Sequence, residues 1–127
     1  MTQNRPVNIN LLKIKLPLSA FLSITHRISG ILIFFIVLPV SVFIFSELTQ
    51  NQDSFNNFVI MYHKNLGIKF GCVGLILIFQ YHIFTGVRHI LMDFHILNES
   101  LSSSYKSAVT TLVLFAVNAL LTLWVML

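Results

Sequence analysis

Long apolar runs separated by short polar stretches organise this chain. The first run covers residues 19–45 and is unbroken from Ile31 to Val40. The second covers residues 66–92, and the third residues 108–127. Crossing a hydrocarbon core of ~30 Å takes about 20 apolar residues in a helix. Each run therefore predicts a transmembrane helix, and the expected fold is an all-α integral membrane protein in one domain, residues 1–127. Pro39 lies inside the first run and predicts a kink, which lipid tolerates when neighbouring groups satisfy the freed carbonyl. Residues 47–57, ELTQNQDSFNN, and residues 98–107, NESLSSSYKS, read as polar loops. The N-terminal stretch VNINLLKIKLPLSAF alternates in part and reads as an extended or interfacial lead-in. No internal repeat is present.

Composition strengthens the membrane reading. The chain is 56% hydrophobic and only 9% charged, against about 25% charged in a soluble domain. Its solvent is the lipid bilayer. The formal net charge is +4, but the basic residues are few and make no stripe along a helix, which argues against a nucleic-acid partner. Their placement follows topology instead. Arg5, Lys13, Lys15 and Arg27 precede or open the first span, and Arg88 and Lys106 flank the second loop. Only Lys64 and Lys69 belong to the opposite side. The positive-inside rule then puts the N-terminus on the cytoplasmic or matrix side. The first apolar run is too long for a signal-peptide core and no small-residue cleavage motif follows it. The expected location is a bacterial inner membrane, or alternatively a mitochondrial one. The single cysteine, Cys72, can form neither an intrachain disulfide nor a thiolate metal site, and reads as a packing residue.

Ionisable residues within a span raise a functional hypothesis by default, and the second span is rich in them. It carries His82, Arg88, His89 and Asp93, while the first span opens on SITHRISG with Ser23, His26 and Arg27. His82 lies eleven residues before Asp93, roughly 16 Å below the end of the span at 1.5 Å per residue. His26, Arg27, Arg88 and His89 are shallower. One deep histidine under a shallow basic cluster suits a haem held edgewise. A neutral imidazole ligates iron, and the anionic propionates take charge-assisted hydrogen bonds from Arg27, His26, Arg88 or His89. Gly86, one turn from His82, would leave room for a flat macrocycle. Ser23 and Arg27 share a helix face and present a hydroxyl and a guanidinium to a quinone carbonyl at the membrane edge. Simpler readings stand beside these. A buried histidine can bond a neighbouring helix, Arg88 and Asp93 can snorkel to the interface, and Gly67, Gly71 and Gly74 read as small residues that let helices approach closely. His63 and His95 read as solvated, and Tyr105 and Trp124 as interface or packing residues.

Three stretches carry a family resemblance. They are RPVNINL at Arg5–Leu11, SITHRISG at Ser23–Gly30, and HIFTGVRHILMDF at His82–Phe94. In order, spacing and position the chain resembles the cytochrome b556 membrane-anchor family of succinate dehydrogenase, respiratory complex II. The resemblance implies three transmembrane helices forming half of a haem-binding anchor bundle, the other half being a second membrane anchor subunit. It implies one haem b between the two subunits. His82 would be the axial ligand to the haem iron, and a histidine of the partner anchor the other. Ser23 and Arg27 would line the ubiquinone site beside the iron–sulfur subunit, and His26 and Arg27 would lie near the propionates. His89 and Asp93 match family positions of less defined role. Succinate would be oxidised on a flavoprotein subunit, so this chain would carry no catalytic residue for that step. The chain has no dinucleotide-type glycine loop and no clustered cysteines, in keeping with this.

Two other readings remain open on sequence grounds. One is a fumarate reductase anchor or another small b-type cytochrome, since the direction of electron flow is not written in the chain. The other is a non-redox helical scaffold whose polar residues only hold helices together. A scaffold needs small or polar residues but gives no reason for a histidine at the depth of His82.

Overall fold

The computed structural model describes residues 16–98 and 100–127. The motif at Arg5–Leu11, together with Lys13 and Lys15, lies outside the described residues. Among those described, all regular structure is helical. Three helices are long and apolar enough to cross a membrane: Leu18–Gln50, Leu66–Asp93 and Leu101–Met126. The expected all-α membrane fold with three spans is what the chain adopts.

The first span is built in three parts: α1 (Leu18–Leu32), a π-helical turn (Ile33–Val37) and α2 (Leu38–Gln50). The π turn explains how Pro39 is accommodated. A proline two residues on has no N–H for the helical ladder, and its ring crowds the carbonyl one turn back. Widening the preceding turn relieves that crowding, and the N–H of Leu38 bonds the carbonyl of Ile33, five residues earlier. Insertions of this kind are a recognised alternative to a sharp break.

The structure corrects the two loops read from the sequence. Residues 47–57 are not a loop, because α2 continues to Gln50 and a further helix, α3 (Gln52–Lys64), begins at once. Asn51 starts it by accepting a hydrogen bond from the Ser54 N–H through its side chain, at 2.8 Å, as an N-cap does. Asp53 in the first turn and His63 and Lys64 in the last complement the helix dipole. Thirteen residues span only ~20 Å, too short to cross the bilayer. Phe55, Phe58, Val59 and Tyr62 recur at helical spacing, so α3 has one apolar face, and it packs on α2 and α4. Polar side chains alone had hidden this periodicity.

The second correction concerns the serine-rich stretch. Helix α5 (Leu101–Met126) starts seven residues before the expected boundary at residue 108. The Ser100 hydroxyl accepts from the Ser103 N–H and caps it. Serines that read as loop residues therefore line the first two turns of a span. Helix α4 (Leu66–Asp93) matches its expected range and is capped by Asn65, whose side chain accepts from Gly67 and Ile68.

Helices α1 and α5 both pack on α4. Most large apolar side chains face outward, Trp124 among them at 83% exposed, as lipid or neighbouring subunits require. Hydrogen bonds cross between the helices, since burial of oil against oil gives little drive in a bilayer. Tyr81 on α4 bonds Thr25 on α1. Gln80 donates to Thr122 on α5 at 2.8 Å. The expected close approaches at Gly67, Gly71 and Gly74 are not found among the described residues: a Cβ at Gly71 or Gly74 would meet none of their atoms within 4 Å, and one at Gly67 only the side chain of Asn65. The glycines tight against a side chain of another helix are Gly30 and Gly86.

Candidate functional site

Three histidines converge between α1 and α4. On α4, His82, Gly86 and His89 fall at helical spacing on one face. On α1, His26 reaches across to that face. Its ring stacks on His82 with centroids 4.2 Å apart and planes 11° from parallel. It also lies 5.0 Å from His89, tilted by 52°. His26 is thus the middle ring of a short column.

The two tight glycines make this column possible. A Cβ on Gly86 would lie 3.1 Å from His26 Nε2, and one on Gly30 would lie 3.2 Å from His82 Cε1. Both distances are tighter than side chains normally tolerate. The space above Gly86, expected from the sequence to admit a macrocycle, is taken by His26. Any flat group at His82 must approach its free nitrogen instead of the helix face beside it.

A serine sets which nitrogen that is. Ser29, nearly fully buried, donates its only hydroxyl proton to the carbonyl of His26 at 2.7 Å. Its oxygen also lies 2.9 Å from His82 Nδ1. In the tautomer that keeps the hydroxyl proton on that carbonyl, Ser29 accepts at this contact from Nδ1–H. His82 Nε2 is then left with its lone pair, and it bonds no described residue. A metal-binding histidine is commonly oriented this way, through a hydrogen bond on its other nitrogen. Ser29 was not singled out from the sequence; its signal was its position three residues after His26, where a hydroxyl can reach back to the preceding turn.

Among the described residues no three His, Cys, Asp or Glu side chains cluster as a metal cage. The donor set is compatible with a haem: one imidazole whose Nε2 has no partner among the described residues, and two further imidazoles beside it. On α1, Ser23 is half-buried one turn before His26, and Arg27, the residue after His26, is exposed. Arg27 lies within electrostatic reach of His89. The structure therefore brings His26, His82 and His89 together and leaves Ser23 and Arg27 outside the column.

Arg88 departs from expectation. It neither snorkels outward nor turns to the histidine column. It is 3% exposed and points into the α4–α5 seam. Its Nε donates to Ser107 Oγ, and one Nη donates to the Ser104 carbonyl and hydroxyl, each at 3.2 Å. Arg88 is thus removed from the candidate propionate partners.

Comparison with known proteins adds independent findings. The family model described as succinate dehydrogenase/fumarate reductase transmembrane subunit matches residues 1–124. The succinate dehydrogenase cytochrome b556 subunit of Coxiella burnetii is 34% identical over 93 residues, covering 73% of this chain and 74% of that protein. The succinate dehydrogenase cytochrome b560 subunit of Porphyra purpurea is 33% identical over 112 residues, covering 87% and 88%. That of Chondrus crispus is 33% identical over 100 residues, 72% of each chain.

Proposed function

The chain belongs to the succinate dehydrogenase/fumarate reductase transmembrane subunit family, and from that premise we propose that it is a cytochrome b membrane anchor of succinate dehydrogenase, binding haem b and contributing to ubiquinone reduction. The observation that carries this reading is the His82 imidazole, whose Nδ1 lies 2.9 Å from the buried Ser29 hydroxyl and whose Nε2 has no partner among the described residues. Under this proposal His82 would hold the haem iron together with a histidine of a second anchor subunit. His26, His89 and Arg27 face the propionates. Haem iron supplies a reversible one-electron couple whose potential its ligands and surroundings tune.

Ser23 and Arg27 are the proposed quinone contacts. Reducing a quinone to a quinol takes two electrons and two protons. The electrons come from the iron–sulfur subunit, fed in turn by a flavoprotein subunit where succinate is oxidised. A guanidinium beside a quinone carbonyl stabilises the negative charge that develops on the oxygen, and a hydroxyl orients it. Under this proposal a lipid-soluble quinone reaches both residues from the bilayer, Arg27 being exposed on α1. The N-terminus lies on the cytoplasmic side of a bacterial inner membrane, or on the matrix side of a mitochondrial one.

The test is a dithionite-reduced minus oxidised spectrum of membranes carrying this chain with its partner subunits, for wild type and His82→Ala. A b-type α-band in the first that is missing from the second is the expected result. A band that survives in His82→Ala refutes the ligand assignment, and no band in either refutes haem binding.

A further inference from the structure

Arg88 is a buried cation in a membrane-spanning segment, and among the described residues it has no carboxylate partner. Its three hydrogen bonds go to neutral serine groups through Nε and one Nη. The other terminal nitrogen, Nη1, makes none, yet it is not among the side-chain atoms sealed from the surface without a partner. An intramembrane arginine is costly and is normally matched by an anion or by a polar pathway. Beside it, between α4 and α5, opens a cavity of about 520 Å³ whose wall includes Arg88, Ser103, Lys106, Ser107 and Thr110. The Lys106 ammonium has no hydrogen bond or ion pair among the described residues.

The cavity is graded along the membrane normal. Arg88 is five residues before the end of α4, and Lys106 five residues after the start of α5. Both therefore lie roughly 8 Å inside the helix ends. Deeper in, the wall turns apolar, with Ile83, Phe84 and Leu114. A free anion would use only the upper part, whereas a two-part amphiphile uses both.

We propose that this cavity binds an anionic phospholipid of the leaflet on the α4 C-terminal side. The headgroup phosphodiester bonds Arg88 Nη1 and the Lys106 ammonium, with the Ser103 hydroxyl at the rim. An acyl chain descends along Ile83 and Leu114. Two cations that have no matching carboxylate among the described residues select a headgroup with net negative charge over a zwitterionic one, as basic pockets between spans do. The site faces away from the histidine column and stands or falls independently of the haem and quinone assignments.

The experiment uses the assembled complex, delipidated in detergent, titrated with phosphatidylglycerol or phosphatidylcholine and read by native mass spectrometry. Wild type is expected to retain phosphatidylglycerol preferentially. Lys106→Gln is expected to weaken that retention by roughly five-fold, with the haem spectrum unchanged, and Ser103→Leu to lower it by crowding the headgroup. Arg88→Gln is expected to abolish it; should that variant fail to assemble, the other two decide. Equal retention of the two lipids, or no loss in Lys106→Gln and Ser103→Leu, overturns the proposal. Displacement of bound lipid by millimolar inorganic phosphate would also overturn it, since it would show a simple anion site. So would an acid on a neighbouring subunit cross-linking to Arg88 in the lipid-free complex.

Discussion

The two halves of the helix bundle are held by different means. In the half containing the start of α1, the end of α4 and the start of α5, the buried residues are mostly polar: Ser29, Thr85, Arg88, Ser104 and Thr111, with Leu22 and Ala108 between them. Cross-helix hydrogen bonds fix side chains there in single orientations. In the other half only Val37 and Val73 are buried. A cavity of about 540 Å³ opens among α2, α3 and α4. What closes that half is a short amphipathic helix and a few peripheral bonds, such as Tyr62 to the Met126 carbonyl at 2.8 Å. Binding chemistry needs groups held to within a fraction of an ångström, and in lipid, where apolar contacts do not discriminate, polar bonds supply that definition. The half without such chemistry gets by on looser packing.

The contrast predicts that substitutions in the polar half change redox chemistry more than stability, and those in the other half the reverse. His82→Ala should have the largest effect, complete loss of the b-type band while the subunits still assemble, as read by spectrum and by native gel. Simultaneous loss of assembly would mean that the histidine column is mainly structural. Arg27→Leu comes next. Losing a charge-assisted hydrogen bond costs about 1.5–3 kcal/mol, so quinone reduction should fall on the order of 10–100-fold. Succinate oxidation by a soluble artificial acceptor should persist, and Ser23→Ala should act in the same direction more weakly. Parallel losses in both assays would move these residues from quinone contact to general assembly.

Ser29→Ala sharpens the comparison further. Removing the acceptor for His82 Nδ1–H frees the tautomer, and loss of such an orienting partner costs about 10–100-fold in metal affinity. Haem retention during purification should fall accordingly and recover in Ser29→Thr, which keeps the hydroxyl. Unchanged haem affinity in Ser29→Ala would remove the orienting role. The smallest effect belongs to the far half. Asn51→Ala deletes the cap of α3 and should cost about 1 kcal/mol, seen as a lower Tm of the complex with an unaltered haem spectrum. A spectral change there would break the division between the halves.

The sequence by itself determined the spans, because twenty apolar residues in lipid have few alternatives to a helix. Its motifs also named His82, His26, His89, Ser23 and Arg27 as the residues to watch. It did not determine α3, whose asparagines and Asp53 read as loop until the face they leave apolar meets α2 and α4. Nor did it decide which way Arg88 points. Residues 88 and 89 are neighbours in the chain but about 100° apart around a helix, and only the packing of α1 on one side and α5 on the other sends His89 to the histidine column and Arg88 to the serines. The role of Ser29 was likewise hidden. A hydroxyl in a span usually bonds its own helix, and Ser29 does so with the His26 carbonyl; only the approach of α4 puts its remaining lone pair against His82.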